Sequence, residues 1–413
     1  MACYEISGEV VDLSILRAND VNTKLSSLLG TPGKIRCLCM PGKPPVHVSR
    51  RGGNHFLAKE ANTGQLHYKL CRHHSLTASE AASMGYTLGA LSSSDEELTV
   101  ALAKPLKKGK ALVAASSSIY TFNQGSARPI TNRMTELGLL HLLWERAGLH
   151  EYNSETVLGP LWPRIRRAAY GIKPKGLRDL KFGLSDIMLL PLHAETEEQS
   201  KFNYAKFKEA QDKGRFVLFI ARLNPTEVAS LVAAETSDFS LKAMFGINLS
   251  LYSTCAKPVL DALRGSFGTE LACSQNDGDD LVVLGIAKPA IEKLYATISS
   301  VVVMPVVKDH LPYDSRYERS FACELVRQGR SIRKPLRYEA SRDMQVHPDF
   351  VLLDTPKPVV VEVYGMSTPD YLARKKEKQR IYLSEEYPFE CWEWDAAECD
   401  NLTQWLSNHP LPT

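Results

Sequence analysis

A glutamate stands inside an otherwise apolar, β-branched run near the C-terminal end of this chain, Val359-Val360-Val361-Glu362-Val363-Tyr364-Gly365. A carboxylate buried without a partner is costly, so a glutamate in a strand of this composition is not readily dismissed as incidental. The run follows Val346-His347-Pro348-Asp349-Phe350-Val351-Leu352-Leu353-Asp354 after the short connection Thr355-Pro356-Lys357-Pro358, and the two segments predict a β-hairpin. With the turn centred on Thr355 and Pro356, Asp349 falls directly opposite Glu362. Opposed residues of an antiparallel pair share a face, with Cβ atoms roughly 5 Å apart. Two carboxylates that close repel unless a cation lies between them, and Mg²⁺ takes hard oxygen ligands of this kind. The pattern therefore points to metal-assisted phosphodiester chemistry.

Pro348-Asp349, then Glu362 in its apolar strand, follow a helical segment, Tyr313-Asp314-Ser315-Arg316-Tyr317-Glu318-Arg319. This order resembles the PD-(D/E)XK, or restriction-endonuclease-like, nuclease superfamily over the last quarter of the chain. The resemblance implies an αβββαβ domain that hydrolyses DNA phosphodiester bonds. It also implies that Asp349 and Glu362 hold Mg²⁺ (or Mn²⁺), assisted by Glu318. The position two after Glu362 departs from the family motif, which has Lys where this chain has Tyr364. Some members carry that cation on the next helix, where Lys375 and Lys378 are spaced for one helical face. Arg333, Lys334 and Arg337, just before the hairpin, are expected to grip the nucleic-acid backbone.

At 413 residues the chain exceeds what one hydrophobic core normally serves. The elements predict an α/β protein (α+β overall) in four parts: a zinc-bound β unit over 1–90, a mainly helical part over 91–200, an α/β part over 201–307 and the nuclease-like part over 308–413. A net charge of +3 is too small to imply nucleic-acid binding by itself, so local clustering has to carry that role. No signal peptide or membrane-spanning run is evident, and nine cysteines, an odd number scattered along the chain, argue for a reducing cytoplasm rather than a disulfide framework.

Some of those cysteines are then free for metal. Cys37-Leu38-Cys39 and His67-Tyr68-Lys69-Leu70-Cys71 supply four soft ligands, the number a tetrahedral structural Zn²⁺ needs. His67 and Cys71 lie four apart and could share a helical face, Pro41-Gly42 offers the bend that lets a Cys-x-Cys pair converge, and His73 and His74 are alternatives to His67. Short strands at 45–48 and 54–58 surround Arg50-Arg51-Gly52-Gly53. So small a β unit has little core of its own, and a metal would stabilise it.

In the middle of the chain, Met134, Leu137, Leu140, His141, Trp144 and Ala147 recur at helical spacing, and a second helix follows Pro160. These helices and their basic extension suggest a winged-helix-like module in which Arg164, Arg167, Lys173, Lys175 and Arg178 meet phosphates. Strands are expected at 215–221, 245–251, 281–285 and 301–304, with helices at 257–266 and 287–299.

A wider similarity runs through Cys-Leu-Cys…His…Cys, then 139–149, then Arg330-Ser331-Ile332-Arg333-Lys334-Pro335-Leu336-Arg337-Tyr338. In these features the chain is similar to an uncharacterised group carried on conjugative plasmids and integrative elements of proteobacteria. That resemblance implies a DNA-related role on a mobile genetic element, with DNA and proteins of the same element as partners. The alternative is a degenerate nuclease fold kept as a nucleic-acid-binding or protein-interaction scaffold, which Tyr364 favours.

Overall fold

A computed structural model of the chain describes all residues except 1–2, 14–17, 31–32, 52–53, 61–70, 72, 74–90, 94–97, 105, 107–132, 156–158, 178, 193–196, 236–238, 252–255, 308–309, 337–346, 368, 385–386 and 388. It is a mixed α/β protein with several sheets, divided into two compact units. One is centred on Met1–Met84 and the other spans most of the remainder.

The first unit is a five-stranded antiparallel sheet. Its strands are β1 (Cys3–Ile6), β2 (Glu9–Asp12), β3 (Ile35–Cys37), β4 (Pro45–Arg51) and β5 (Asn54–Lys59), in the order β2-β1-β3-β4-β5. Ser7 and Gly8 join β1 to β2 with φ of 51° and 93°, the left-handed pair that a two-residue hairpin needs. Alternate residues point to one face, so Tyr4, Ile6, Ile35, Cys37, Val46, Val48 and Leu57 close on Leu25 from α1 (Ala18–Ser26). Among the described residues this core is small, with Cys37 inside it and Cys39 and Cys71 packed partly buried against it.

In the second unit, β6 (Leu91–Ser93), β7 (Leu98–Val100) and β9 (Ile172–Pro174) form a small sheet. The central sheet holds β10 (Met188–Leu189), β11 (Val217–Leu223), β12 (Asn248–Ser250), β13 (Asp280–Pro289) and β14 (Tyr295–Val306), in the order β10-β11-β13-β14-β12. Its strands are apolar at consecutive positions because both faces are covered. Leu218, Ile220, Val282 and Leu284 pack towards α2 (Glu136–Arg146) and α3 (Leu161–Ala169). Val217, Phe219, Ala221, Leu281 and Val283 face α4 (Glu197–Asp212), α5 (Pro225–Ala233), α6 (Lys242–Phe245) and α7 (Ala256–Asp277). Helices α2 and α3, which fall in the mainly helical part read over 91–200, share one core with this sheet.

Residues 287–299, expected as a helix, instead continue β13 and begin β14. Ala287 pairs with Ile298 and Pro289 with Ala296, and Glu292 takes a φ of 58° in the turn. Cross-strand pairing and the burial of Ala287, Ala296 and Ile298 outweigh a weak local helical preference.

The C-terminal sheet contains β15 (Ile332–Arg333), β16 (Phe350–Leu352), β17 (Val359–Tyr364) and β18 (Glu390–Asp395), with α8 (Arg316–Arg327) before it, α9 (Pro369–Tyr382) between β17 and β18, and α10 (Leu402–Asn408) after it. The order is β18-β17-β16-β15-β8, where β8 (Glu151–Tyr152) comes from far upstream and pairs with β15. Val359, Val361 and Val363 meet Phe321 and Leu325 of α8, while Tyr313 and Arg319 both bond Asp279 and tie α8 to the end of α7. Among the described residues no helix is long and apolar enough to cross a membrane.

Gly285 tests the central sheet. A Cβ there would stand 2.3 Å from the Phe219 ring and 2.8 Å from the Ser300 carbonyl oxygen. Gly285→Ala is expected to cost about 1–3 kcal/mol, the usual range for overpacking, read as a lower urea midpoint. An unchanged midpoint would show that Phe219 can leave the space that the glycine opens.

Candidate functional sites

The expected hairpin is present, and its register decides what faces what. Phe350 pairs with Val361, Val351 with Val360 and Leu352 with Val359, so one further step sets Asp349 beside Glu362. The Asp349 amide donates to the Val361 carbonyl at 3.0 Å, and the Val363 amide donates to Asp349 Oδ2 at 2.7 Å. Both bonds fix the aspartate at the mouth of the strand pair. Val359, Val361 and Val363 take the face towards α8, which leaves Glu362 on the opposite face.

Glu362 is 1% exposed and its charge is answered from α9. Lys378 Nζ donates to Glu362 Oε1 at 2.9 Å, to Oε2 at 2.7 Å and to the His347 carbonyl at 3.0 Å. The Tyr382 hydroxyl, one helical turn further on, donates to Oε1. Burial pushes the Glu362 carboxyl up to about 7, Asp349 adds to the rise, and Lys378 and Tyr382 pull it back. Burial works against the Lys378 charge, yet Glu362 and Asp349 outweigh it and hold the ammonium above the ordinary lysine range. Lys378 is thus the helix cation that reaches the strand carboxylate. Lys375 pairs with Asp395 instead and stands 4.5 Å from the centre of the Tyr364 ring. The Tyr364 hydroxyl donates to Glu393 at 3.3 Å.

A second buried pair adjoins the first. Ser315 caps α8 by accepting from the Glu318 amide at 3.2 Å, which turns Glu318 into the protein. Its Oε2 accepts from Lys334 Nζ at 2.6 Å and from the Asp314 amide at 3.0 Å. Lys334 also reaches Asp314 at 3.0 Å. Burial pushes the Glu318 carboxyl up to about 8; Lys334 opposes that shift, and Asp349 and Asp314 add to it. For Lys334, burial is outweighed by Asp314, Glu318 and Asp349, so the lysine stays charged. Asp349 therefore acts electrostatically on both lysine–glutamate pairs.

The expectation that Lys334 grips a phosphate is corrected: it is 1% exposed and spent on Glu318 and Asp314. A buried carboxylate in this corner needs an internal counter-ion, and Lys334 supplies it. Arg333 remains at the surface but pairs with Glu151 of β8 at 2.7 Å. Arg164 donates to the Ala147 carbonyl at 2.9 Å and the Gly148 carbonyl at 3.3 Å, closing the C-terminus of α2. Arg167 and Lys175 are exposed and Lys173 is half-buried. His67, Arg178 and Arg337 lie outside the described residues. Sequence reasoning did not single out Asp314 or Tyr382. The four-residue step from Lys378 to Tyr382 marks one face of α9 and could have flagged Tyr382. Asp314 carries no such signal.

The first unit holds a separate constellation. Cys37 ends β3, and the turn from Met40 to Lys43, closed by a 2.9 Å backbone bond, bends the chain just after Cys39. Cys71 returns to this edge, with its Sγ 3.6 Å from that of Cys37. The sulfurs of Cys37, Cys39 and Cys71 all lie within 4.8 Å of one another and could hold a metal ion such as zinc. Burial pushes the Cys37 thiol up to about 12, although the Cys39 amide draws it down and the Cys39 and Cys71 thiols add to the rise. Beside this group, His73 is buried, and its Nε2 lies 2.8 Å from the Tyr4 hydroxyl.

The two buried glutamates make stability pH-dependent with a definite sign. Folded Glu362 and Glu318 keep their protons up to about 7 and about 8, whereas the ordinary value is 4.5. The folded state then binds more protons than the unfolded chain across that window. The stabilisation is complete below 4.5 and is lost as pH rises through 7 to 8. Urea midpoints measured across this range should fall with rising pH in the parent and fall less in Glu362→Gln and Glu318→Gln. Parallel slopes in all three proteins would refute the raised carboxyls.

Comparison with known proteins adds a family without an activity. No curated protein matches the chain. The model of a family described as "Protein of unknown function (DUF1173)" matches residues 9–397, a span that takes in the cysteine constellation, the central sheet and the carboxylate–lysine site. On that near-complete match, the chain belongs to the DUF1173 family.

Proposed function

We propose that the C-terminal region is a restriction-endonuclease-like domain that hydrolyses DNA phosphodiester bonds with Mg²⁺ or Mn²⁺. The observation that carries this reading is the meeting of Asp349 and Glu362 on one hairpin, with Lys378 of the next helix bonded to Glu362. The run helix, three strands, helix, strand from α8 to β18 also supports it. The hard carboxylate oxygens of Asp349 and Glu362 suit Mg²⁺, and these two residues would hold it. When bound, the metal supplies an activated water and neutralises charge on the scissile phosphate. Lys378 would turn from Glu362 towards the phosphate or the water, which puts a cation where the motif lysine is absent. Glu318, held by Lys334 and Asp314, takes or gives a proton near neutral pH.

In the first unit, Cys37, Cys39 and Cys71 bind a structural zinc, with a fourth donor from among His67, His73 and His74. The protein works in the cytoplasm on the DNA of a mobile element, alongside proteins of the same element. Exposed Arg167 and Lys175 would add phosphate contacts outside the site.

A second reading is a DNA-binding scaffold without catalysis. It is favoured by Glu362 being already satisfied by Lys378 and Tyr382, and by Tyr364 at the motif lysine position. Supercoiled and single-stranded DNA, incubated with Mg²⁺ or Mn²⁺, separate the two. The nuclease reading expects cleavage by the parent protein, with rates at least 100-fold lower in Asp349→Ala and Glu362→Ala, the scale of losing a group that organises the reaction. Salt-dependent binding without cleavage, equal in all three proteins, would establish the scaffold instead.

A further inference from the structure

We infer that His73 is the fourth ligand of a tetrahedral zinc site with Cys37, Cys39 and Cys71, and that the Tyr4 hydroxyl positions its ring. The inference rests on the zinc reading of the cysteine trio and names the donor that reading leaves open.

The three thiolates supply the soft part of the donor set, and a structural zinc closes with a fourth protein ligand. A histidine ligand characteristically binds the metal through one ring nitrogen and gives the other N–H to an oxygen that fixes its tautomer and orientation. His73 has that second half in place, with Nε2 2.8 Å from the Tyr4 hydroxyl and the rings edge-on at 5.6 Å. Its Nδ1 would then be the ligating atom.

Three placements bring His73 to the same edge of the sheet as the cysteines. It stands two residues beyond Cys71, whose Sγ lies 3.6 Å from that of Cys37. Tyr4 is the cross-strand partner of Cys37 in the β1–β3 ladder, so the two side chains leave the sheet on the same face. Tyr4, Cys37, Cys39 and Cys71 also belong to one core cluster, and His73 is only 4% exposed beside it. His73 is not among the atoms that lie within 4.8 Å of one another, so ligation draws its ring towards the sulfurs. A buried ring hydrogen-bonded to a tyrosine rooted opposite a cysteine supplies the outer-shell half of a closed Cys₃His site. It also explains why so small a sheet carries a buried Tyr–His pair at the cysteine edge: the metal would tie β1, β3 and the segment around Cys71 into one unit.

The test uses the full-length protein. Zinc content and zinc-edge X-ray absorption on the purified chain should give one zinc with three sulfur neighbours and one nitrogen. His73→Ala should lose the nitrogen and bind zinc at least 100-fold more weakly in a chelator competition. His73→Cys should restore tight binding with four sulfurs, which keeps the test readable if the alanine variant folds poorly. Tyr4→Phe should keep the ligand set but weaken zinc binding roughly 10- to 100-fold, the usual effect of losing an outer-shell partner. His67→Ala should match the parent. If the nitrogen survives in His73→Ala and disappears in His67→Ala, His73 is not the ligand although the zinc site stands. If the parent protein binds no zinc with all thiols reduced, the zinc reading itself fails and the fourth ligand falls with it.

Discussion

Burying one carboxylate in the middle of a strand determines how the last quarter of the chain is assembled around β17. Glu362 cannot be enclosed alone, and Lys378 and Tyr382 answer it from one face of α9. Breaking such a pair by removing one partner leaves a buried charge and costs about 3–5 kcal/mol. This requirement sets the rotation of α9 against the sheet. Lys375, on the adjoining part of the helix, is then brought to Asp395 and Gln379 to Glu393, both on the neighbouring β18. One ionic constraint thus aligns a helix whose composition is too polar for hydrophobic packing alone to place it.

The same logic recurs at Glu318, with partners of different origin. Lys334 comes from the segment after β15, and β15 is held by β16 on one side and β8 on the other. A strand from residues 151–152 therefore stands at one edge of the sheet in which Glu362 sits on β17, beside the opposite edge strand β18. Asp349, at the mouth of the hairpin, acts on both lysine–glutamate pairs. Four acids, Glu362, Glu318, Asp349 and Asp314, thus surround two internal lysines in one charged cluster.

Much of this was legible in the chain. The β-branched runs around Thr355-Pro356-Lys357-Pro358 specified the hairpin, and the two-residue period then set Asp349 opposite Glu362. Helical spacing identified Lys375 and Lys378 as neighbours, but only docking decided which of them meets Glu362. The cysteines were equally plain, because Cys37 and Cys39 share a bend and Cys71 is the next cysteine along the chain. Residues 287–299 misled for the opposite reason: their local preference is helical, and the ladder with β13 overrides it. Lys334 reads as a surface cation beside Arg333, since nothing within a few residues reveals that Glu318 needs it.

What the sequence by itself determined is local: which segments alternate, where turns fall, and which charged side chains are set in apolar surroundings. These follow from periodicity and turn chemistry over a few residues. What only the tertiary structure decided is pairing across distance: β8 joining β15, Lys334 enclosed by Glu318 and Asp314, Arg164 spent on the end of α2, and Tyr4 reaching His73. Burial turns a surface cation into an internal counter-ion, and burial is a property of the assembled layers that no single segment carries.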